Sequence, residues 1–112
     1  MNDPYTNCPE WLRETIMRLD NEKYLQMGPR AMEKISGYSL AHISRVLKKH
    51  ANMLPRDVMN KVRMEHAAAT ISLGTKDIYS IIKECGIKSS GYFFQLFKET
   101  YGCTPMQYRK NR

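Results

Sequence analysis

The sequence lacks long apolar runs. The longest are three residues each, such as Ala67 to Ala69 and Tyr92 to Phe94, whereas a membrane-spanning helix needs about 20. The N-terminal residues, among them Asp3 and Glu10, form neither a positive nor an apolar signal region. We therefore expect a soluble protein with no membrane partner, located in the cytoplasm.

Cysteine is scarce, and the motifs of metal and catalytic sites are missing. Three cysteines, an odd number, suit a reducing compartment better than a disulfide framework. The sequence has no C-x-x-C or paired-histidine spacing, no glycine-rich phosphate loop and no HExxH motif. The sequence predicts no metal, no cofactor and no enzymatic activity, and Cys85 is interpreted as a packed thiol rather than a nucleophile.

Basic side chains are abundant and unevenly placed. The 112 residues are 42% hydrophobic and 26% charged, as in one globular domain, with a formal net charge of +7. Residues 1–27 hold three basic and five acidic side chains, whereas residues 28–112 hold 15 and six. A polyanionic partner is therefore expected for the segment 28–112.

Apolar residues recur three and four positions apart, and no segment alternates with period two, so the fold class is all-α. The predicted helices are seven: 9–24, 30–35, one after Ser39, 55–73, one after Asp77, one after Ser89 and one after Thr104. The longest has its predicted inward stripe at Met59, Val62, His66, Ala69 and Leu73.

The chain contains an internal repeat at a spacing of 50 residues. Ser39 matches Ser89, and the later pairs are Ile43 with Phe93, Leu47 with Phe97, Lys48 with Lys98, and Pro55 with Pro105. Each repeat is predicted to form a short helix, a glycine-containing turn and a capped helix, which is the organisation of a helix-turn-helix unit. Two such units on a basic chain favour double-stranded DNA as the partner.

The outward positions of the two second helices are the candidate DNA contacts. Arg45 is suited to bidentate recognition of guanine, and Gln95 to adenine. Phe94 fits either a core position or a thymine methyl contact. The candidates for base contact are Ala41, His42, Ser44, Arg45, Ser90, Gly91, Phe94 and Gln95. The candidates for phosphate contact are Ser39, Lys48, Lys49, Arg56, Lys88, Ser89 and Lys98.

The long helix has a length suited to joining two helix-turn-helix units that each bind one major-groove segment. About 19 residues at about 1.5 Å each span about 28 Å, close to the roughly 34 Å between successive major grooves on one face of DNA.

Several segments resemble the DNA-binding module of the AraC/XylS family of bacterial transcription regulators. They are 37–39 (GYS), 42–45 (HISR), 63–67 (RMEHA), 81–87 (IIKECGI), 90–98 (SGYFFQLFK) and 101–109 (YGCTPMQYR). The resemblance implies two helix-turn-helix subdomains, at about 28–53 and 77–102, a connecting helix at about 55–73 and a C-terminal helix at about 104–111. Several residues depart from the family pattern: Asn52 replaces a glycine, Gln95 replaces a frequent arginine, and the apparent repacking changes are Glu33, Leu47, Ile82 and Ile87.

Residues 1–27 look like the linker helix that enters this module from an upstream domain in sugar-responsive members. The resemblance therefore implies an excised DNA-binding domain of a larger effector-responsive regulator, lacking its effector or dimerisation domain. RNA polymerase is a further candidate partner. The alternative is a helical protein-interaction module without DNA contact, which predicts an exposed apolar groove.

Overall fold

The computed structural model describes residues 3–111, and these form eight α-helices without a strand. The all-α prediction is confirmed. The helices are α1 (Glu10–Met17), α2 (Glu22–Met27), α3 (Arg30–Ser36), α4 (Leu40–Ala51), α5 (Pro55–Ser72), α6 (Ile78–Glu84), α7 (Ser90–Tyr101) and α8 (Pro105–Asn111).

The repeat units begin and end their second helices in the same way. The hydroxyls of Ser39 and Ser89 each accept a hydrogen bond of 3.1 Å, from the backbone N–H of His42 and Tyr92 respectively. Asn52 ends α4 and Gly102 ends α7, both in the left-handed conformation. Asparagine is among the few residues that adopt this conformation at low cost, which explains how Asn52 replaces a glycine.

The prediction of a single helix over 9–24 is wrong. The chain leaves the helical path after Met17 and places Leu19 in the core. Asn21 caps α2, because its side chain accepts a hydrogen bond from the backbone N–H of Lys23 at 2.9 Å. Burial of Leu19 and the asparagine cap favour the break over a continued helix. Residues 3–111 therefore form eight helices, one more than the seven predicted.

Two apolar cores lie on opposite faces of α5. The first contains side chains of α1 to α4 with Val58, Met59 and Val62, and the second contains side chains of α6 and α7 with Met64, Ala67, Ala68 and Ile71. At about 100° per residue, these two groups are centred about 180° apart around the helix axis.

The predicted inward stripe of α5 is wrong beyond Val62. Ala69 and Leu73 are exposed, and His66 is only partly buried, because the buried face changes sides between Val62 and Met64. A stripe extrapolated from the residues that face one core does not identify the residues of the same helix that face a second core.

The folded chain extends over 40 × 28 × 22 Å, with α5 as its central element. Among residues 3–111 no helix has both the length and the apolar character needed to cross a bilayer.

Candidate nucleic-acid interface

The helix α4 buries one face and exposes the opposite one. Ile43 and Leu47 are fully buried in the first core. Ala41 and Arg45 are exposed, Ser44 is half-buried, and Lys48 and Lys49 extend the exposed face to the end of the helix. The predicted base-contact positions of α4 therefore share one surface, on which Ala41 and Arg45 are more accessible than His42 and Ser44.

His42 belongs to an aromatic stack that the sequence did not indicate. Its ring lies 5.9 Å from Trp11, nearly parallel, and 5.0 Å from Tyr38. The Trp11 and Tyr38 rings are 4.2 Å apart. Helix α1 thereby holds the orientation of a candidate base-contact side chain, which makes Trp11 and Tyr38 part of the site's support.

The helix α7 presents its polar positions on the side opposite Phe93 and Phe97, which are fully buried. Gly91 and Gln95 lie on that side and are exposed, whereas Ser90 is exposed in the first turn of α7, nearer to the Phe93 side at about 100° per residue. The amide Nε2 of Gln95 donates to Oε2 of Glu99 at 3.2 Å. This face carries a carboxylate beside its candidate adenine reader, so it is less cationic than the face of α4.

Phe94 is half-buried and packs at its edges. Its ring lies 6.1 Å from Tyr79 and 5.8 Å from Phe93, both at nearly perpendicular angles. These contacts favour a supporting role over a free thymine-methyl contact. Tyr79 is 62% exposed beside α7 and was not among the predicted site residues.

The candidate phosphate contacts are accessible. Lys48, Lys49, Arg56, Lys88 and Lys98 are exposed, and within residues 3–111 none of them forms an ion pair. The hydroxyls of Ser39 and Ser89 accept the helix-capping bonds and keep their own hydrogen for another acceptor, such as a phosphate oxygen.

Two partly buried arginines that add to the basic charge are engaged in hydrogen bonds to backbone carbonyls of the protein itself. Arg63 donates from Nη2 to the carbonyl oxygen of Leu25 at 2.7 Å, and burial lowers its pKa. Arg109 donates to the carbonyl oxygens of Ile71 and Lys76 at 3.2 and 2.6 Å. Net charge therefore overstates the number of cations available to DNA.

A charged cluster joins the α1–α2 turn to α5 and α6. Nδ1 of His66 lies 2.8 Å from Oδ1 of Asp20, and its Nε2 lies 3.5 Å from Oε1 of Glu84. Lys76 forms a hydrogen-bonded ion pair with the other oxygen of Glu84. The hydrogen bond from Lys76, aided by His66, holds the pKa of Glu84 below its usual range despite some burial.

The lowered pKa of Glu84 predicts a pH-dependent contribution to stability. A carboxyl with a lower pKa in the folded state stabilises the fold above its unfolded pKa of about 4.3, and this stabilisation is lost as the pH falls through the folded pKa. Thermal unfolding of Glu84→Gln is expected to show a smaller loss of Tm between about pH 5 and about pH 3 than the wild type. The exposed carboxylate change Glu65→Gln serves as control; parallel curves for wild type and Glu84→Gln contradict the assignment.

No group of three or more His, Cys, Asp or Glu side chains arranged to hold a metal ion occurs in the described part of the chain. Cys85 is fully buried, and burial raises the pKa of its thiol to about 12. A thiol of this kind is protonated near neutral pH, in agreement with the packed role predicted for it.

Comparison with known proteins places these features among transcription regulators. The model of a helix-turn-helix domain family matches residues 32–111. An uncharacterized HTH-type transcriptional regulator of Haemophilus influenzae is 30% identical over 80 residues, covering 71% of this chain and 27% of that protein. The transcriptional activator RhaR of Mannheimia succiniciproducens is 30% identical over 71 residues, covering 63% and 26%. The matched part of the chain therefore covers only about a quarter of the length of these curated relatives.

A solved structure shows the same fold. The C-terminal domain of AraT, a response regulator from Geobacillus stearothermophilus, superposes with a TM-score of 0.75 at 23% identity, covering 96% of this chain and 89% of that one.

Proposed function

The chain belongs to the AraC/XylS-type helix-turn-helix family of bacterial transcription regulators, and from this membership we propose that α4 and α7 read successive major-groove segments of one DNA site. Transcription regulators of this family bind DNA and are not enzymes, which confirms the predicted fold family, DNA partner and absence of enzymatic function.

The proposal that both α4 and α7 read DNA rests on one structural observation. The helices α4 and α7 are each 12 residues long, are capped by serine, bury one apolar face and expose the opposite face. Between them lies α5, whose 18 residues span about 27 Å at about 1.5 Å per residue. This length supports engagement of two grooves on one side of the duplex, because successive grooves are about 34 Å apart.

The proposed roles within the interface follow from accessibility and chemistry. Arg45 is the principal base reader, because its exposed guanidinium matches the two acceptors of guanine. Gln95 is a weaker reader, since Glu99 competes for its amide. The five exposed cations, with Ser39 and Ser89, bind phosphate and set the register of the protein on DNA.

The wider context is also a proposal. Curated relatives of which the matched segment covers only about a quarter support a larger regulator, in which an effector or dimerisation domain controls this module and RNA polymerase is a second partner. A regulator of this kind works in the bacterial cytoplasm. The alternative, a protein-interaction module, is not favoured by the faces of α4 and α7, because the exposed positions there are mainly polar or basic.

Selection from randomised duplexes, followed by base-by-base variants of the selected site, tests the proposal. Arg45→Ala is expected to lose about 1 to 3 kcal/mol at one base position, a factor of about 5 to 150, because only the correct base offers both acceptors. Lys98→Ala is expected to weaken every sequence alike, because phosphate contacts carry no base information. Fluorescence anisotropy gives both sets of affinities.

Two results count against these assignments. Equal losses for Arg45→Ala at every base variant remove Arg45 from base readout. A selection that returns no enriched sequence from the wild-type chain contradicts sequence-specific reading by this module.

A further inference from the structure

Residues 20–26 join the first core to the second helix-turn-helix unit. Leu19 and Leu25 are fully buried in the first core and hold this segment at both ends. Three of its groups contact α5, α6 and the turn after α6: the carboxylate of Asp20, the backbone carbonyl of Leu25 and the side-chain amide of Gln26. We name residues 20–26 the bridge segment.

Gln26 makes the first contact with the second unit. Its side-chain amide donates to the carbonyl oxygen of Lys83 and, at 3.2 Å, to that of Glu84. These carbonyls lie in the last turn of α6, where no residue within the helix can donate to them. That of Lys83 also accepts from the N–H of Gly86 at 3.0 Å. A residue 57 positions earlier in the chain thus caps the first helix of the second unit.

Leu25 makes the second contact through its backbone. Its carbonyl oxygen accepts the hydrogen bond from Arg63 of α5 and also lies against Gly86 in the turn between α6 and α7. A Cβ at Gly86 would lie 2.8 Å from the carbonyl carbon of Leu25 and 3.0 Å from Cα of Gln26. Such distances require the bridge segment to move, so the absence of a side chain at Gly86 permits the contact.

The Asp20–His66–Glu84 cluster is the third contact. It connects the start of the bridge segment, through α5, to α6. The second unit is therefore attached to the first at two places: along α5 and through the bridge segment.

We propose that the bridge segment fixes the angle between the two reading helices, with Gln26 and Gly86 as positioning residues for DNA recognition. This proposal rests on the proposed two-helix reading of DNA. A single connecting helix permits bending and twisting of the unit at its end, whereas a second attachment opposes both. Two reading helices held at a fixed angle lose less conformational entropy when they bind a DNA site of matching spacing. They fit a site of altered spacing poorly.

A series of DNA sites that differ only in spacing tests the bridge. One inserted base pair moves one half of the selected site by about 3.4 Å and rotates it by about 35°. We expect insertion of one base pair to lower the affinity of the wild-type chain about tenfold, because the two reading helices can no longer bind their halves of the site at the same time. The ratio of the two affinities, measured by anisotropy, is the quantity compared among variants.

Gln26→Ala is expected to bind the selected site about three- to tenfold more weakly, the effect of one or two net hydrogen bonds, and to bring the ratio toward one. Gln26 is exposed, so the fold is retained. Met27→Ala changes the neighbouring, partly exposed residue of the same helix without altering charge, and it is expected to keep the wild-type ratio.

Gly86→Ala is expected to bring the ratio toward one as well. Its control is Gly102→Ala, since Gly102 has nearly the same positive φ, 77° against 80°, but open space where a Cβ would lie. Both changes strain the backbone, and only Gly86→Ala displaces Leu25.

The outcomes separate this proposal from the function it rests on. If Gln26→Ala keeps the wild-type ratio, the bridge has no positioning role, while sequence-specific reading stands. If the wild type binds the selected site but tolerates every spacing, the fixed angle is overturned together with two-helix reading. If no site is selected, the function itself fails.

Discussion

Raising the salt concentration from about 50 mM to about 200 mM is expected to weaken binding of duplex DNA by about 500-fold, for five phosphate contacts at a slope of about −0.9 each. The five are the exposed cations Lys48, Lys49, Arg56, Lys88 and Lys98. Each neutralised phosphate releases condensed counterions, and the gain from that release falls as bulk salt rises. Anisotropy titrations at four or more salt concentrations give the slope directly.

Single cation variants show which side chains contribute to that slope. Lys98→Gln is expected to reduce its magnitude by about 0.9, because one phosphate contact is lost. Lys110→Gln removes an equal charge from the exposed part of α8, outside the candidate contacts, and is expected to leave the slope unchanged. A slope near zero for the wild type contradicts DNA binding through these cations, and equal effects of the two variants contradict their placement.

Phe97→Ala is expected to lower the free energy of unfolding by about 3 to 5 kcal/mol, as for other fully buried aromatic residues. The Phe97 side chain is fully buried, and its ring lies 5.8 Å from Phe93, 4.8 Å from Tyr101 and 5.4 Å from Tyr108. Truncation removes transfer free energy and leaves a cavity whose aromatic walls cannot all move inward. Urea unfolding followed by circular dichroism measures the loss.

Phe94→Ala is the matched control, since the same atoms are removed from a half-buried ring on the same helix. A smaller loss is expected, because less apolar area leaves water at this position. Similar losses for the two variants contradict the assigned core. Because α5 contributes to both cores, we also expect Phe97→Ala to lower the stability of the whole chain in one transition rather than melt the second unit alone.

Much of the candidate interface was predictable because it depends on local patterns. The serine caps, the glycine turns and the three- and four-residue apolar spacing act within one helix, so Ser39, Ser89 and the buried faces of α4 and α7 follow from the order of residues. The exposure of Arg45 and Gln95 follows from the same periodicity. Their individual roles in reading bases remain predictions.

The interruption between α1 and α2 was not predictable in this way. A helix through Leu19 satisfies the local apolar pattern, and only the gain from burying Leu19 in the first core and capping α2 at Asn21 ends it. The predicted inward stripe of α5 was wrong for a related reason. The spacing of the α5 residues that face the first core does not reveal that a second core lies on the opposite face.

Local patterns in the order of residues are enough to specify an all-helical chain with two similar capped units, a long helix between them and an excess of basic charge. Three features depend on packing between distant segments: the hydrogen bonds of Arg63 and Arg109 to backbone carbonyls, the stacking of Trp11 beside His42, and the attachment of the second unit by Gln26 and Leu25. The two groups of features differ in how far apart in the sequence the interacting residues lie. Helix formation and capping involve residues a few positions apart, whereas the contact between Gln26 and Lys83 joins residues 57 positions apart and exists only once both cores have formed.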